Sequence, residues 1–289
     1  MIKKGIILAG GLGTRLSPIT KSVSKQLLPV YDKPLIFYPL SVLMLCNIKN
    51  ILIIVKKGEK KNFQSALGET KDLGINIEFK EQIIPTGIPE AFIIGEKFIN
   101  RENVALILGD NFFYGQGLSE ILKKNFNLRN GARIFTYPIN DPRNFGIVEK
   151  TKQGGKARIV EKPKKSKSNL AITGLYLFDK NVSQYCKKIK MSKRKETEIV
   201  DLLKKYNKKN KLSAEFIGRG GAWLDAGSIN DFYEASSFVS TIENRQGLKI
   251  ACLEEIAFYN GWIGKKQIMS SIKFYGKCDY SDYLWNLIK

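Results

Sequence analysis

The stretch Ile2-Lys3-Lys4-Gly5-Ile6-Ile7-Leu8-Ala9-Gly10-Gly11-Leu12-Gly13-Thr14-Arg15 joins a short apolar run to a glycine-rich turn. An apolar run of this length, bounded by glycines, has the profile of a strand buried on both faces of a parallel sheet. A glycine-rich turn directly after such a strand lets backbone N–H groups approach phosphate oxygens closely. The turn is not a Walker A loop, because no Gly-Lys-Ser/Thr ending follows. It is not a dinucleotide fingerprint either, because Leu16 occupies the third glycine position. Arg15 lies inside the loop and Lys25 follows it. Two fixed cations beside a phosphate-cradling backbone suit a polyphosphate whose charge grows as pyrophosphate leaves.

Further along, a helical segment over Leu35–Cys46 leads to a second apolar run, Ile51–Val55, and a third, Val104–Leu108, ends in Gly109-Asp110-Asn111. Strands alternating with helical spacings argue for βαβ units and an open α/β sheet covered on both faces. Ligands of such sheets sit beyond the carboxyl ends of the strands, where Gly10-Gly11 and Asp110 both fall. After Arg133 the texture changes to strand-like pieces, Ile134–Tyr137, Phe145–Glu149, Arg158–Glu161 and Ala171–Phe178, an extension of the sheet able to wall a substrate pocket. Ile199, Leu202, Leu203 and Tyr206 have helical spacing, and Ser228-Ile229-Asn230-Asp231 reads as a capping-box start for a helix reaching about Gln246. The remaining C-terminal residues read as helical and partly apolar.

The 289 residues carry 48 Lys and Arg against 27 Asp and Glu, a net charge of +21, and no histidine. The missing imidazole removes Ser-His-Asp and Cys-His catalysis and histidine metal sites. Cys46, Cys186, Cys252 and Cys278 are too dispersed for a redox or zinc pattern and read as reduced, mostly buried thiols of a cytoplasmic protein. The positive charge alone would suit nucleic acid or an anionic membrane surface. The lysine clusters are short, mixed with Asn, Ser and Tyr, and accompanied by no nucleic-acid-binding signature, so the expectation is a solvated basic surface with no nucleic-acid partner. The greasiest stretch, Leu35–Ile48, is too short and interrupted for a membrane span.

Asp110, at a strand end, is either a turn-forming residue or a ligand of Mg²⁺, which prefers one or two carboxylates together with phosphate oxygens and water. Asp225, in Ala222-Trp223-Leu224-Asp225-Ala226-Gly227-Ser228, is the candidate second carboxylate; its alternative role is to favour the dipole of the helix that follows. Gln82 presents a donor and an acceptor, which suits the imide edge of thymine or uracil, and Gly87 permits close backbone approach.

With these segments in hand, the chain resembles the sugar-phosphate nucleotidyltransferases, and among them the thymidylyltransferases. Five stretches match in family order: SKQLLPVYDKPLIFYPL (Ser24–Leu40), LILGDNFFYGQGL (Leu106–Leu118), EKPKKSKSNLAITGLYLFD (Glu161–Asp179), RGGAWLDAGS (Arg219–Ser228) and IENRQGLKIACLEEIAF (Ile242–Phe258). The resemblance implies an α/β, Rossmann-like core with a mixed, mostly parallel sheet flanked by helices and a helical C-terminal region. It implies a catalytic domain over residues 1–240, with nucleotide and sugar halves, and an oligomerisation or regulatory region over 241–289 of a homotetramer. The implied reaction takes dTTP and glucose 1-phosphate to dTDP-glucose and pyrophosphate with Mg²⁺ as cofactor, opening a dTDP-rhamnose type of deoxysugar synthesis.

By the same resemblance Arg15, Lys25, Asp110, Lys162 and Asp225 are catalytic, with Asp110 and Asp225 holding the metal. Leu8, Gly10, Gly11, Gly13, Thr14, Arg15, Gln26, Gln82, Pro85, Gly87 and Asp110 would bind the nucleotide. Gly146, Glu161, Lys162, Ile172, Thr173, Tyr176, Arg194, Glu198 and Trp223 would bind the sugar phosphate. The chain departs from the family pattern after Gln82, where Glu90 stands in place of a glutamine and Pro89 in place of an alanine. A second, regulatory nucleotide site of relatives maps to Tyr114-Gly115-Gln116 and Glu255–Tyr259. Many relatives carry His and Arg where this chain has Gln116 and Tyr259, so feedback inhibition by dTDP-rhamnose is expected to be weak or absent. The alternatives are a transferase using UTP or another nucleoside triphosphate, and a non-catalytic nucleic-acid-binding or regulatory relative.

Overall fold

The computed structural model describes residues 1–149 and 157–289. In chain order its strands are β1 (Lys4–Ala9), β2 (Pro29–Val30), β3 (Lys33–Pro34), β4 (Asn50–Lys56), β5 (Asn76–Gln82), β6 (Val104–Leu108) and β7 (Asn111–Gly115), followed by β8 (Ala132–Pro138), β9 (Gly146–Glu149), β10 (Arg158–Glu161), β11 (Leu170–Phe178), β12 (Leu212–Phe216) and β13 (Gly221–Asp225). The main sheet runs β10-β9-β11-β6-β1-β4-β5, with β8 pairing β11 and β12 pairing β8. The ladders joining β1, β4, β5 and β6 are parallel, as is β12 on β8. Those of β11 with β6 and β8, and of β9 with β10 and β11, are antiparallel. This is the mixed sheet that the sequence leads one to expect.

The quoted N-terminal run occupies the middle of the parallel half. Ile6 and Ile7 point to opposite faces and both are fully buried, because helices cover the sheet on each side. The helix Phe37–Leu45 is buried nearly all round and accommodates Pro39 in its first turn, where no intrahelical N–H bond is forfeited. The capping box at Ser228 is present: Ser228 Oγ accepts from Asp231 N at 3.2 Å and Asp231 Oδ2 accepts from Ser228 N at 2.8 Å. The helix it starts, Ile229–Gln246, runs across the expected division at residue 240. The helices beyond, Leu253–Tyr259, Lys265–Tyr275 and Asp279–Ile288, place Leu253, Ala257, Ile268 and Leu284 in the same hydrophobic cluster as Ile7 and Ile53 of the sheet. The C-terminal region therefore shares a core with the main sheet.

Cys46, Cys186 and Cys252 are buried free thiols and Cys278 is an exposed one. No described helix is long and apolar enough to cross a membrane.

The β2–β3 hairpin, directly after the Lys25 segment, is tied to the long helix by an ion cluster built on the buried pair Lys33 and Glu243. Lys33 Nζ donates to Glu243 Oε1 at 2.9 Å and also to Asp32, and Lys249 Nζ donates to Glu243 Oε2 at 3.3 Å and also to Asp32. Glu243 Oε1 additionally accepts from the Ile250 backbone N at 2.8 Å. Removing one partner of a buried pair leaves the other charge uncompensated, so Glu243→Ala should lower the unfolding free energy by about 3 kcal/mol. Urea unfolding followed by circular dichroism measures this, and a change within about 0.5 kcal/mol, ordinary for surface substitutions, would show the cluster to be energetically idle.

Candidate active site

The carboxyl ends of β1, β5 and β6 open onto one edge of the sheet, the position at which open α/β sheets bind ligands. After β1 the chain turns through Gly13, whose φ of 62° lies in the left-handed region, and a Cβ there would meet Thr20 Cγ2 at 2.9 Å. Thr20 Oγ1 fixes the turn by donating to the Gly13 carbonyl at 2.8 Å. Leu16 is buried and anchors the loop, while Gly11, Thr14 and Arg15 remain exposed.

After β6 the chain bends at Gly109 and presents Asp110, whose Oδ2 accepts from the buried Lys25 Nζ at 2.7 Å. The short antiparallel ladder of β7 and β13 sets Asp225 opposite Asn111, so a residue distant in sequence arrives beside Asp110. Burial and then the charge of Asp110 push the Asp225 carboxyl up to about 7, against the opposing pull of Lys25 and Arg15. The Arg15 guanidinium and the Asp225 carboxylate converge on Gly227, where a Cβ would lie 3.2 Å from Arg15 Nη2 and 3.1 Å from Asp225 Oδ2. Any side chain at position 227 would push into the space between the loop and the carboxylates.

A cavity of about 250 Å³ continues from these carboxylates into the antiparallel half of the sheet. Glu161, at the end of β10, and Lys162 stand on one wall, and Lys162 takes a φ of 40° while its backbone N donates to the Phe145 carbonyl at 3.0 Å. Arg194 bridges two carboxylates, donating from Nη2 to Glu161 Oε1 at 3.2 Å and to Glu198 Oε2 at 2.7 Å. Burial and then the Glu198 charge raise the Glu161 carboxyl above its usual range, with Lys162 and Arg194 pulling it back. Tyr176 is also on the lining, its phenol raised by burial and then by the charges of Glu161, Asp225 and Asp110. Trp223 packs edge-on against Phe145, ring centroids 5.3 Å apart, and donates from Nε1 to Asn111 Oδ1 at 2.6 Å.

Two further concavities adjoin this one and share its residues. The first holds Gly11, Gly13, Thr14, Arg15, Lys25, Gln26, Asp110 and Gly227. The second holds Leu8, the same glycine loop, Gln82, Pro85, Gly87, Ile88 and Glu196. Buried Gln26 has a carbonyl, Oε1, with no hydrogen-bond partner among the described residues. Gly10 lies beneath the loop against Gln82, and a Cβ on it would be 2.2 Å from Gln82 Oε1.

Every residue expected at the site from sequence lines this cleft except Gly10, which backs it, and Thr173. Ile172, Gly174 and Tyr176 face the cavity, whereas Thr173 is fully buried on the other side and donates from Oγ1 to the Phe135 carbonyl at 3.1 Å. Its side chain does not reach the cavity lining. Sequence reading missed Asn111, whose Oδ1 also accepts from Gly174 N at 2.9 Å and so clamps β7 to β11 and Trp223. The available signal was an amide between Asp110 and the apolar pair Phe112-Phe113. Glu196 and Thr197, also on the lining, give no signal in sequence. Of the residues matched to a regulatory site, Tyr114 donates from its hydroxyl to Gln246 Oε1 at 3.0 Å and Tyr259 is 72% exposed.

Residues 4–242 match the model of the family described as Nucleotidyl transferase. The chain is 50% identical over 285 residues to the glucose-1-phosphate thymidylyltransferase of Neisseria gonorrhoeae, an alignment covering 99% of each protein. Among solved structures it is similar to one from Bacillus anthracis, described as a proposed glucose-1-phosphate thymidylyltransferase in complex with sucrose. That likeness has a TM-score of 0.74 and 36% identity, covering 81% of this chain and 94% of the other. It is similar as well to a UDP-glucose pyrophosphorylase complexed with UDP-glucose, with a TM-score of 0.73 and 25% identity over 84% of this chain and all of the other.

Proposed function

We infer, from the premise that this chain belongs to the nucleotidyl transferase family, that it transfers a thymidylyl group from dTTP to glucose 1-phosphate, giving dTDP-glucose and pyrophosphate. The observation that carries this reading is the single cleft in which a phosphate-cradling loop, a pair of carboxylates and a charged sugar-sized pocket follow one another through shared residues. The loop and Arg15 hold the triphosphate, and Gln82 and Gly87 face the base. The unpartnered Gln26 carbonyl suits a hydroxyl donor of the nucleoside sugar. Glu161 and Glu198 accept hydroxyls of the hexose, and Arg194 keeps the two carboxylates in place.

Lys162 and Lys25 align the two reacting phosphates. An oxygen of the sugar phosphate forms the new bond to the α-phosphorus while the bond to the pyrophosphate oxygen breaks in line, with no covalent enzyme intermediate. The nucleophile needs no histidine base, because a phosphate monoester with a second pKa near about 6 is already a dianion at neutral pH. Arg15 meets the charge that develops on the leaving pyrophosphate.

Mg²⁺ is the proposed cofactor, and the residues suit it. Asp110 and Asp225 offer two hard carboxylates at the mouth of the phosphate loop, and no cluster of three or more His, Cys, Asp or Glu forms a closed cage among the described residues. Phosphate oxygens and water would complete the coordination, the arrangement this ion favours. When bound, it neutralises charge on the transferred and leaving phosphates. The same reading extends to a homotetramer, a cytoplasmic setting and the first step of deoxysugar synthesis, all three resting on the family resemblance. UTP as donor is the second reading. It is favoured by the likeness to the UDP-glucose pyrophosphorylase and by the imide edge that thymine and uracil share.

Ion-exchange analysis of dTTP incubated with glucose 1-phosphate and enzyme should show dTDP-glucose and pyrophosphate in equal amounts. The yield should be abolished by a chelator and restored by excess Mg²⁺. Release of dTDP or dTMP instead of the sugar nucleotide would refute transfer to the sugar phosphate.

A further inference from the structure

Glu90 begins the short helix Glu90–Ile94, below the loop that follows β5. A single oxygen of its carboxylate, Oε2, accepts three hydrogen bonds: from Gln82 Nε2 at 2.6 Å, from the Thr86 backbone N at 2.9 Å and from Thr86 Oγ1 at 2.7 Å. The Thr86 backbone N–H can only donate, so Oε2 acts there as an acceptor, and the end of the Gln82 amide that faces it is the NH₂ end. Glu90 thereby decides which way Gln82 points. The carbonyl Oε1 of Gln82 lies at the foot of the nucleotide loop, packed close to Gly10, and Gln82 lines the concavity that Leu8, Gly11, Pro85 and Gly87 also line. Gln82 is 2% exposed, and its side chain has little other freedom.

We propose that Glu90 is a positioning residue that locks the Gln82 amide in the orientation that reads a pyrimidine imide, and that it thereby excludes cytosine. The proposal rests on the reading of the Gln82 pocket as the base site. An imide offers an N3–H flanked by carbonyls. The locked amide offers Oε1 as acceptor and the second hydrogen of Nε2 as donor, so two complementary bonds form. Cytosine offers a bare N3 and an amino group, which sets acceptor against acceptor and donor against donor. An unrestrained glutamine would answer cytosine by a half-turn about its last side-chain bond. Here that rotation would place Oε1 against the Glu90 carboxylate and forfeit a charge-assisted bond. The two pyrimidines are close in size, so the selection acts through hydrogen bonding.

Glu90 also steadies the loop itself. The Thr86 it holds accepts through its carbonyl from Thr197 N at 2.7 Å and Thr197 Oγ1 at 2.9 Å, and Thr197 lines the cavity of the sugar side. Glu90→Gln keeps an acceptor oxygen for Thr86 while letting an amide face Gln82 by either end. Glu90→Ala removes the lock and the anchor together.

The test compares kcat/KM for dTTP and dCTP, with glucose 1-phosphate as acceptor, in the unaltered enzyme, Glu90→Gln, Glu90→Ala and Gln82→Leu. The expected result is a fall of roughly tenfold or more in the dTTP-over-dCTP ratio of Glu90→Gln, driven by improved use of dCTP. Glu90→Ala should lose the ratio and also raise KM for dTTP more than it lowers kcat. A Glu90→Gln enzyme with the original ratio, or one in which both substrates decline in parallel, overturns the lock and leaves a merely structural role. If Glu90→Ala fails to fold, the near-isosteric Glu90→Gln decides alone. If the unaltered enzyme shows no preference for dTTP over dCTP, or Gln82→Leu keeps that preference, the reading of the Gln82 pocket fails, an outcome separate from failure of the lock.

Discussion

Replacing Asp110 by Asn should cut turnover at saturating substrate by at least about 10³-fold while leaving the fold intact. The substitution is isosteric, and β6 and the Gly109 bend that place the residue do not depend on its charge. Two functions go with the charge. Lys25, buried and 2.7 Å from Asp110 Oδ2, loses the anion that holds it and is free to collapse onto the phosphates in an unproductive pose. The phosphate side of the cleft also keeps only Asp225 of the two carboxylates proposed to hold Mg²⁺, which would weaken its binding. Steady-state kinetics alongside a thermal melt separate the effects: a preserved melting temperature with lost turnover is expected. Turnover within about tenfold of the unaltered enzyme would remove Asp110 from the mechanism.

Arg15→Ala should cost about 10³-fold in the transfer step, the scale at which a single arginine acts on phosphoryl groups. Arg15 is exposed and packs under no core residue, so its loss should change stability by less than about 0.5 kcal/mol. Its guanidinium converges with Asp225 at the Gly227 gap, beside the loop that cradles the phosphates, where the negative charge of leaving pyrophosphate would develop. Arg15→Lys should recover only part of the loss, because an ammonium supplies the charge without the two-point fork. Single-turnover measurement with enzyme in excess reads the chemical step directly. An Arg15→Ala rate within about threefold of the original would place the residue outside the transition state.

Much of this cleft is legible in sequence because its parts sit on strongly patterned elements. The run Ile6–Ala9 has no polar interruption, so a buried central strand and a loop at its carboxyl end follow directly. The Ser228 capping box announces its helix by local chemistry alone. By contrast β5 and β12 carry only a short apolar–polar alternation, Ile77 and Phe79 in one and Leu212, Ala214 and Phe216 in the other, and no uninterrupted apolar run. Glu78, Lys80 and Glu81 decorate β5, and Ser213 and Glu215 decorate β12, because these strands lie at sheet edges where charge is tolerated and even protective. The strand β13 is five residues long and exists through its pairing with β7, a contact no local pattern encodes. The placement of Thr173 is hidden for a similar reason. Neighbouring residues of a strand face opposite sides, so Ile172 and Thr173 could not both present side chains to the sugar, and only the register with Phe135 shows which one turns away. The hydrogen-bond chains through Asn111 and Glu90 join residues from separate elements and became visible only once those elements were assembled.

The central claim, transfer of a thymidylyl group to glucose 1-phosphate, is tested most directly by pyrophosphate release. The assay crosses dTTP, UTP, dCTP, ATP and GTP with a set of hexose 1-phosphates. dTTP with glucose 1-phosphate should give the highest kcat/KM. UTP should follow within roughly the ten- to two-hundredfold range that one methyl group can discriminate, and dCTP and ATP should trail far behind. A preference for ATP or dCTP over both imide nucleotides, or no release with any sugar phosphate, would contradict it.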